Sequence, residues 1–130
     1  MSLRLAFAAA AVAALAVAAP ASASPVRPFT LAALKSAQAA GQPVLVDVFA
    51  PWCPTCRAQA PTIDGLAADP AYAKLVVFRL DFDNQQAEKR ALGVTRQSTL
   101  IGYKGSREIG RTLGVTDPAQ IKAMAQALVK

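Results

Sequence analysis

Val44-Leu45-Val46-Asp47-Val48-Phe49-Ala50 runs directly into Pro51-Trp52-Cys53-Pro54-Thr55-Cys56. The first seven residues are nearly continuous in apolar character and rich in β-branched valine, as expected of a strand covered on both faces in a parallel or mixed sheet. The remainder holds the chain's only two cysteines, spaced Cys-x-x-Cys. A buried strand that delivers such a pair to the start of a helix is a device for thiol–disulfide exchange. Unpaired N–H groups and the positive dipole end at a helix start favour a thiolate, which is the attacking species. Three residues on, the second sulfur lies on the same helical face and can resolve a mixed disulfide.

The flanking sequence supplies the rest of a domain. Thr30 suits an N-cap, and Leu31, Leu34 and Ala37 share a face, which predicts a helix over 31–40 stopped by Gly41. The helix that begins at the motif is expected to reach about Ala68, with Pro54 tolerated in its first turn and Pro61 kinking it. Residues 75–80 read as a second buried strand. Asp83-x-x-Gln86 fits a capping box for a short helix through Leu92, ended by Gly93. Residues 98–103 and 108–113 read as two strands of a hairpin turning at Lys104-Gly105-Ser106. Asp117-Pro118-Ala119-Gln120 joins an N-cap to a proline at the first helical position, and Ile121, Met124, Ala125 and Leu128 give the last helix its apolar face. The order α-β-α-β-α-β-β-α, without repeat or internal linker, describes one three-layer α/β domain.

The N-terminal residues read as a processing signal rather than as fold. Arg4 is the lone charge ahead of an apolar stretch over 5–19, and Ala21-Ser22-Ala23 is an A-x-A cleavage site. Cleavage is expected between Ala23 and Ser24, leaving 24–130 as the mature domain. The apolar stretch is shorter than the roughly 20 residues that span a bilayer, so it reads as a cleaved signal and not as an anchor. The expected location is therefore periplasmic or secreted. The formal charge of +6 is carried by scattered residues rather than by a run, so a solvated basic surface is the reading and nucleic-acid binding is not expected.

The chain has no histidine. No Cys-His or Ser-His nucleophile pair can therefore form. Arg57 follows Cys56, so the Cys-x-x-Cys-His haem-attachment signal fails. A zinc site would have two thiolates and no imidazole, half of a structural tetrahedron. A purely structural bridge would close a loop so short that it constrains the unfolded chain little. The chemistry rests on the cysteine pair, with no cofactor implied. Pro54 and Thr55 offer no cationic partner to Cys53, whereas a strongly oxidising pair needs a heavily stabilised thiolate, so disulfide reduction is the expected direction.

With residues 44–56, then Pro61, Gly93-Val94, Thr99-Leu100, Gly105 and Gly114 in this order, the chain resembles the thioredoxin-fold family over nearly all of 29–130. The resemblance implies a central mixed sheet between helices and an activity in disulfide reduction, oxidation or isomerisation. The Cys-Pro-Thr-Cys spelling is similar to that of exported reductases acting in c-type cytochrome maturation. By position, Cys53 would be the exposed nucleophile and Cys56 the buried resolving thiol. Asp47 would be a proton acceptor or donor beneath Cys56, and burial in an apolar strand should raise its pKa. Arg79 matches a basic residue of the family near that aspartate, and a surface position fits it equally well.

Trp52, Pro54, Thr55, Ser98 and Thr99 are the expected substrate-contacting residues, Trp52 as a packing platform. Most family members place a cis-proline where this chain has Ser98, in a loop that faces the dithiol and pairs with the substrate backbone. A cis bond before a non-proline residue costs about 2.5–4 kcal/mol, so Ser98 should weaken or abolish that geometry. Losing the proline ring also keeps open a metal-binding alternative, in which the dithiol holds Cu(I) or an iron–sulfur cluster. The expected partners are disulfide-containing or dithiol proteins and a membrane electron donor, with the protein itself a monomer that is not embedded in the membrane.

Overall fold

The computed structural model describes residues 25–130; the expected signal segment and its cleavage site lie outside them. Strand β1 (Arg27–Pro28) is followed by α1 (Leu31–Ala39), β2 (Pro43–Phe49), α2 (Pro54–Ala68), β3 (Val76–Asp81), α3 (Gln86–Leu92), β4 (Thr99–Lys104), β5 (Arg107–Leu113) and α4 (Pro118–Val129), with a 3₁₀ turn at Pro70–Tyr72. The sheet order is β1-β3-β2-β4-β5. β3 runs parallel to β1 and β2, while β4 runs antiparallel to β2 and β5. This is the expected three-layer thioredoxin fold.

β2 sits centrally because its sequence can be buried on both sides. Val44, Val46 and Val48 join Leu34, Ala37, Phe78 and Ile101 in one core. Leu45 joins Ile63, Leu66, Leu100, Ile121 and Leu128 in the other. Asp47 stands two residues after Leu45 and so belongs to the same face, beneath α2 and α4. α4 lies close on β4 at Gly102, where a Cβ would stand 2.9 Å from a Leu128 methyl carbon. Among the described residues no helix is long and apolar enough to cross a membrane.

Three local readings change. Arg27–Pro28 forms a two-residue edge strand beside β3, too short to leave a periodic signal. The capping box does not form: Gln85 is the N-cap of α3 and its side chain caps no helix N–H, while Gln86 Nε2 donates to the Asp83 carbonyl at 2.8 Å. Asp81 organises this turn instead, its carboxylate accepting the Asp83 N–H at 3.0 Å and the Asn84 N–H at 3.2 Å. Finally, β4 begins at Thr99, because Ser98 has a φ of 56° and cannot extend the strand. Downstream, α3 closes on Gly93 and α4 is capped by Asp117, both as the sequence leads one to expect.

Candidate active site

β2 ends at Phe49, and the chain turns through Ala50 to Trp52 before α2 starts. Cys53 is the N-cap of α2 and Pro54 its first residue, where the missing N–H removes no helical bond. The Cys53 N–H donates to the Ala50 carbonyl at 3.1 Å, tightening the turn. Cys53 Sγ accepts the Cys56 N–H at 3.1 Å, as an N-cap oxygen would. Both thiols are free.

Cys53 is not the exposed thiol anticipated from its place in the first turn. It is 2% accessible and Cys56 1%, because the capping bond folds the Cys53 sulfur back over the turn. Ala50, Phe49 and Phe82 pack around the pair. The Lys89 ammonium, on a side chain that is itself buried, rests 3.6 Å from the Phe82 ring centroid on this flank. Burial, then the hydrogen bond with Cys53, pushes the Cys56 thiol up to about 11, against backbone hydrogen bonding at Ala50 and Ser98. Cys56 Sγ also lies 3.8 Å from the Val48 carbonyl.

Asp47 lies within the core at 1% accessibility. Arg79, opposite it on β3, donates from Nε to Asp47 Oδ2 at 2.8 Å and from Nη2 to Asp64 Oδ1 of α2 at 3.0 Å. The guanidinium also stands 4.8 Å from the Phe49 ring centroid. Arg79 is thus the buried aspartate's partner and not a plain surface cation. Desolvation nevertheless outweighs that partner and holds the Asp47 carboxyl above its ordinary range. Asp47 Oδ1 has no hydrogen-bond partner, so a lone pair remains available for a proton.

The loop before β4 approaches the same cluster. All described peptide bonds are trans, so the chain does not adopt the cis turn that a proline would favour. Ser98 takes the left-handed region instead, and its hydroxyl donates to the Gln97 carbonyl at 2.6 Å. The Ser98 N–H donates to the Val48 carbonyl at 2.9 Å, the same oxygen that lies 3.8 Å from Cys56 Sγ. Thr99 is buried and its hydroxyl fastens the loop through the Arg96 carbonyl at 2.7 Å. Across the turn, Trp52 is 55% accessible, with its indole N–H donating to Asp83 Oδ2 at 2.9 Å. Pro54 is exposed beside it and Thr55 half-buried.

Sequence reasoning missed Gln59, which is fully buried in α2. Its spacing of three from Cys56 and four from Ile63 puts it on the inward face of the helix, and that spacing is the signal that could have found it. Asp64 is likewise unread and Asp83 is read only as a helix cap, because each gains its role from a partner distant in sequence. Among the described residues no group of three or more histidine, cysteine, aspartate or glutamate side chains is gathered around a point where a metal ion could bind.

A dithiol at a helix start, with one thiol pushed up by burial, can exchange with a disulfide through a mixed-disulfide intermediate. The sequence matches the family described as Thioredoxin over residues 28–127. It is 39% identical over 88 residues to Thioredoxin-2 of Saccharomyces cerevisiae, covering 67% of this chain and 82% of that protein. It is 34% identical over 95 residues to a thioredoxin of Echinococcus granulosus, covering 73% and 86%. The crystal structure of Trxlp from Edwardsiella tarda superposes with a TM-score of 0.71 at 44% identity, covering 79% of this chain and 97% of that one. Strand, dithiol turn and sheet order thus agree with sequence likeness along most of the chain: the protein belongs to the thioredoxin family and is a thiol–disulfide oxidoreductase.

Proposed function

We propose that the protein works as an exported disulfide reductase, with Cys53 as nucleophile and Cys56 as resolving thiol. The observation that carries this reading is the placing of the pair, Cys53 Sγ accepting the helix N–H while the Cys56 thiol is pushed up to about 11. The Cys53 thiolate attacks one sulfur of a substrate disulfide, and the departing substrate thiolate takes a proton from water. Cys56 then loses its proton to Asp47 and attacks Cys53 Sγ. The second substrate sulfur leaves as a thiolate and takes up the proton that Asp47 gives back, the substrate gains two electrons, and a Cys53–Cys56 disulfide remains for an electron donor to reduce.

Trp52, Pro54 and Thr55 on one side and the 97–99 loop on the other would receive the substrate chain. The capping N–H supports the Cys53 thiolate without a cationic side chain in the motif, which favours the reducing direction. Export rests on the segment over 1–23, and periplasmic or secreted location follows from it. The substrates would be disulfide-bearing proteins, the electron donor a membrane protein, and the working form a monomer.

The test is the midpoint potential of the purified 24–130 domain, with metal content measured on the same sample. A value nearer the roughly −270 mV of thioredoxins than the roughly −120 mV of strongly oxidising dithiol proteins is expected. A value at the oxidising end would reverse the direction, and stoichiometric copper or iron would transfer the site to the metal-binding reading. Intact mass of the exported protein, expected to lack 1–23, tests the export.

A further inference from the structure

The structure assigns Gln59 as a positioning residue that clamps the Ser98 loop to the helix carrying the dithiol. This rests on the reading of that loop as the substrate-docking element. Gln59 Nε2 donates to the Ser98 carbonyl at 3.3 Å and to the Val115 carbonyl at 2.8 Å. Both partners are acceptors, so only the amino end of the amide can serve them, and the side-chain orientation is fixed. Oε1 is left buried without a hydrogen-bond partner, a costly arrangement that an apolar side chain would avoid. The residue is therefore explained by what its amino group holds and not by packing.

What it holds is a loop in an unfavourable conformation. Ser98 sits at a φ of 56°, which a side chain with a Cβ seldom adopts. Backbone bonds alone define only part of it: the Ser98 N–H reaches Val48, and the Ser98 carbonyl takes the Gly114 N–H at 3.0 Å. Gln59 adds a second donor to that carbonyl and ties in Val115, the segment that follows β5. It does so from a position three residues after Cys56, so one helix carries both the resolving thiol and the clamp. A proline ring would stiffen such a loop covalently. Here α2 adds that stiffness, and one amide ties the dithiol helix directly to the docking backbone.

A substrate that docks through its backbone depends on the clamp, whereas a small disulfide that only meets Cys53 does not. The test compares Gln59→Met and Gln59→Glu with the parent on two probes, with dithiothreitol as electron source. Insulin is the protein disulfide and dithiobis(nitrobenzoate) the small one. Gln59→Met, close in shape and without the donor, is expected to raise KM for insulin by roughly fivefold, in line with the loss of one hydrogen bond. Its rate with the small disulfide should stay within about twofold of the parent, a window set by less than half a hydrogen bond's worth. In Gln59→Glu a carboxylate faces two carbonyl oxygens, and only its protonated form can donate. Its KM for insulin, taken as a ratio to the parent at each pH, should therefore fall back toward unity on acidification. Urea unfolding confirms that each variant is folded.

Parallel loss on both probes would make Gln59 a packing residue and overturn the proposal, as would a Gln59→Glu ratio independent of pH. Ser98→Pro separates the two layers of argument. If it shifts KM for insulin while Gln59→Met does not, the loop docks substrate but Gln59 does not position it. If neither shifts KM, the docking reading falls and the clamp falls with it.

Discussion

The dithiol turn, through Cys56, and the loop facing it meet at one carbonyl oxygen, that of Val48, yet they are built in opposite ways. The dithiol turn is local: Cys53 caps the helix that Pro54 begins, and its bonds link Ala50, Cys53 and Cys56. The Ser98 loop is assembled from afar, by Val48 on β2, Gly114 after β5 and Gln59 on α2. The comparison teaches that chemistry and docking are separable in this molecule. The first is set by sequence neighbours and the second by the tertiary fold, so variants in one should leave the other standing.

The largest break is expected from Cys53→Ser, which should reduce disulfide reduction to the uncatalysed background while leaving fold and loop intact. Turnover of insulin measures it, and activity that persisted would place the nucleophile elsewhere. Next comes Asp47→Asn. Resolution needs Cys56 deprotonated, and a thiol held near 11 requires a base, so release from the mixed disulfide should slow by at least about tenfold with the initial attack unchanged. Stopped-flow kinetics over pH 6–9 separate the steps, and equal rates at both would reduce Asp47 to a tolerated core carboxyl.

The same variant sharpens the electrostatic side. The folded protein holds the Asp47 proton above the ordinary value of 3.8, whereas the unfolded chain releases it there. Wild-type stability must therefore fall as pH rises from 3.8 through the raised folded value. Asp47→Asn lacks that loss, so it should be the more stable protein at neutral pH, with the difference closing toward pH 4. Urea midpoints across pH measure this, and a difference that widened on acidification would mean that Arg79 dominates burial.

On the loop side, Ser98→Pro should cost at least about 1 kcal/mol in urea unfolding. Proline can neither hold a φ of 56° nor donate to Val48. The smallest effect belongs to Asp83→Ala, which removes the exposed indole bond of Trp52. About 0.5–1 kcal/mol or less is expected by thermal unfolding, with turnover little changed.

Legibility follows the same division. Strand, cap and helix at 44–56 could be read because each signal lies within a few residues of the structure it specifies, and Gly93 and Asp117 mark their helix ends for the same reason. Asp47 could be singled out as a carboxylate within an apolar run, but its link to Asp64 through Arg79 depends on the register of β2 with β3. The burial of Cys53 was misjudged because a first-turn position looks exposed until its sulfur is seen to cap the helix. Ser98 could be recognised as a departure from the family, yet its left-handed backbone is selected by Val48, Gly114 and Gln59, none of them nearby in sequence.

The central claim, that Cys53 attacks and Cys56 resolves, is tested most directly by trapping. Cys56→Ser, reduced and mixed with a disulfide-bonded protein, should accumulate a stable mixed disulfide, and mass mapping should place the linkage on Cys53. An adduct that instead forms through Cys56 in the Cys53→Ser protein, with none in Cys56→Ser, would contradict the account.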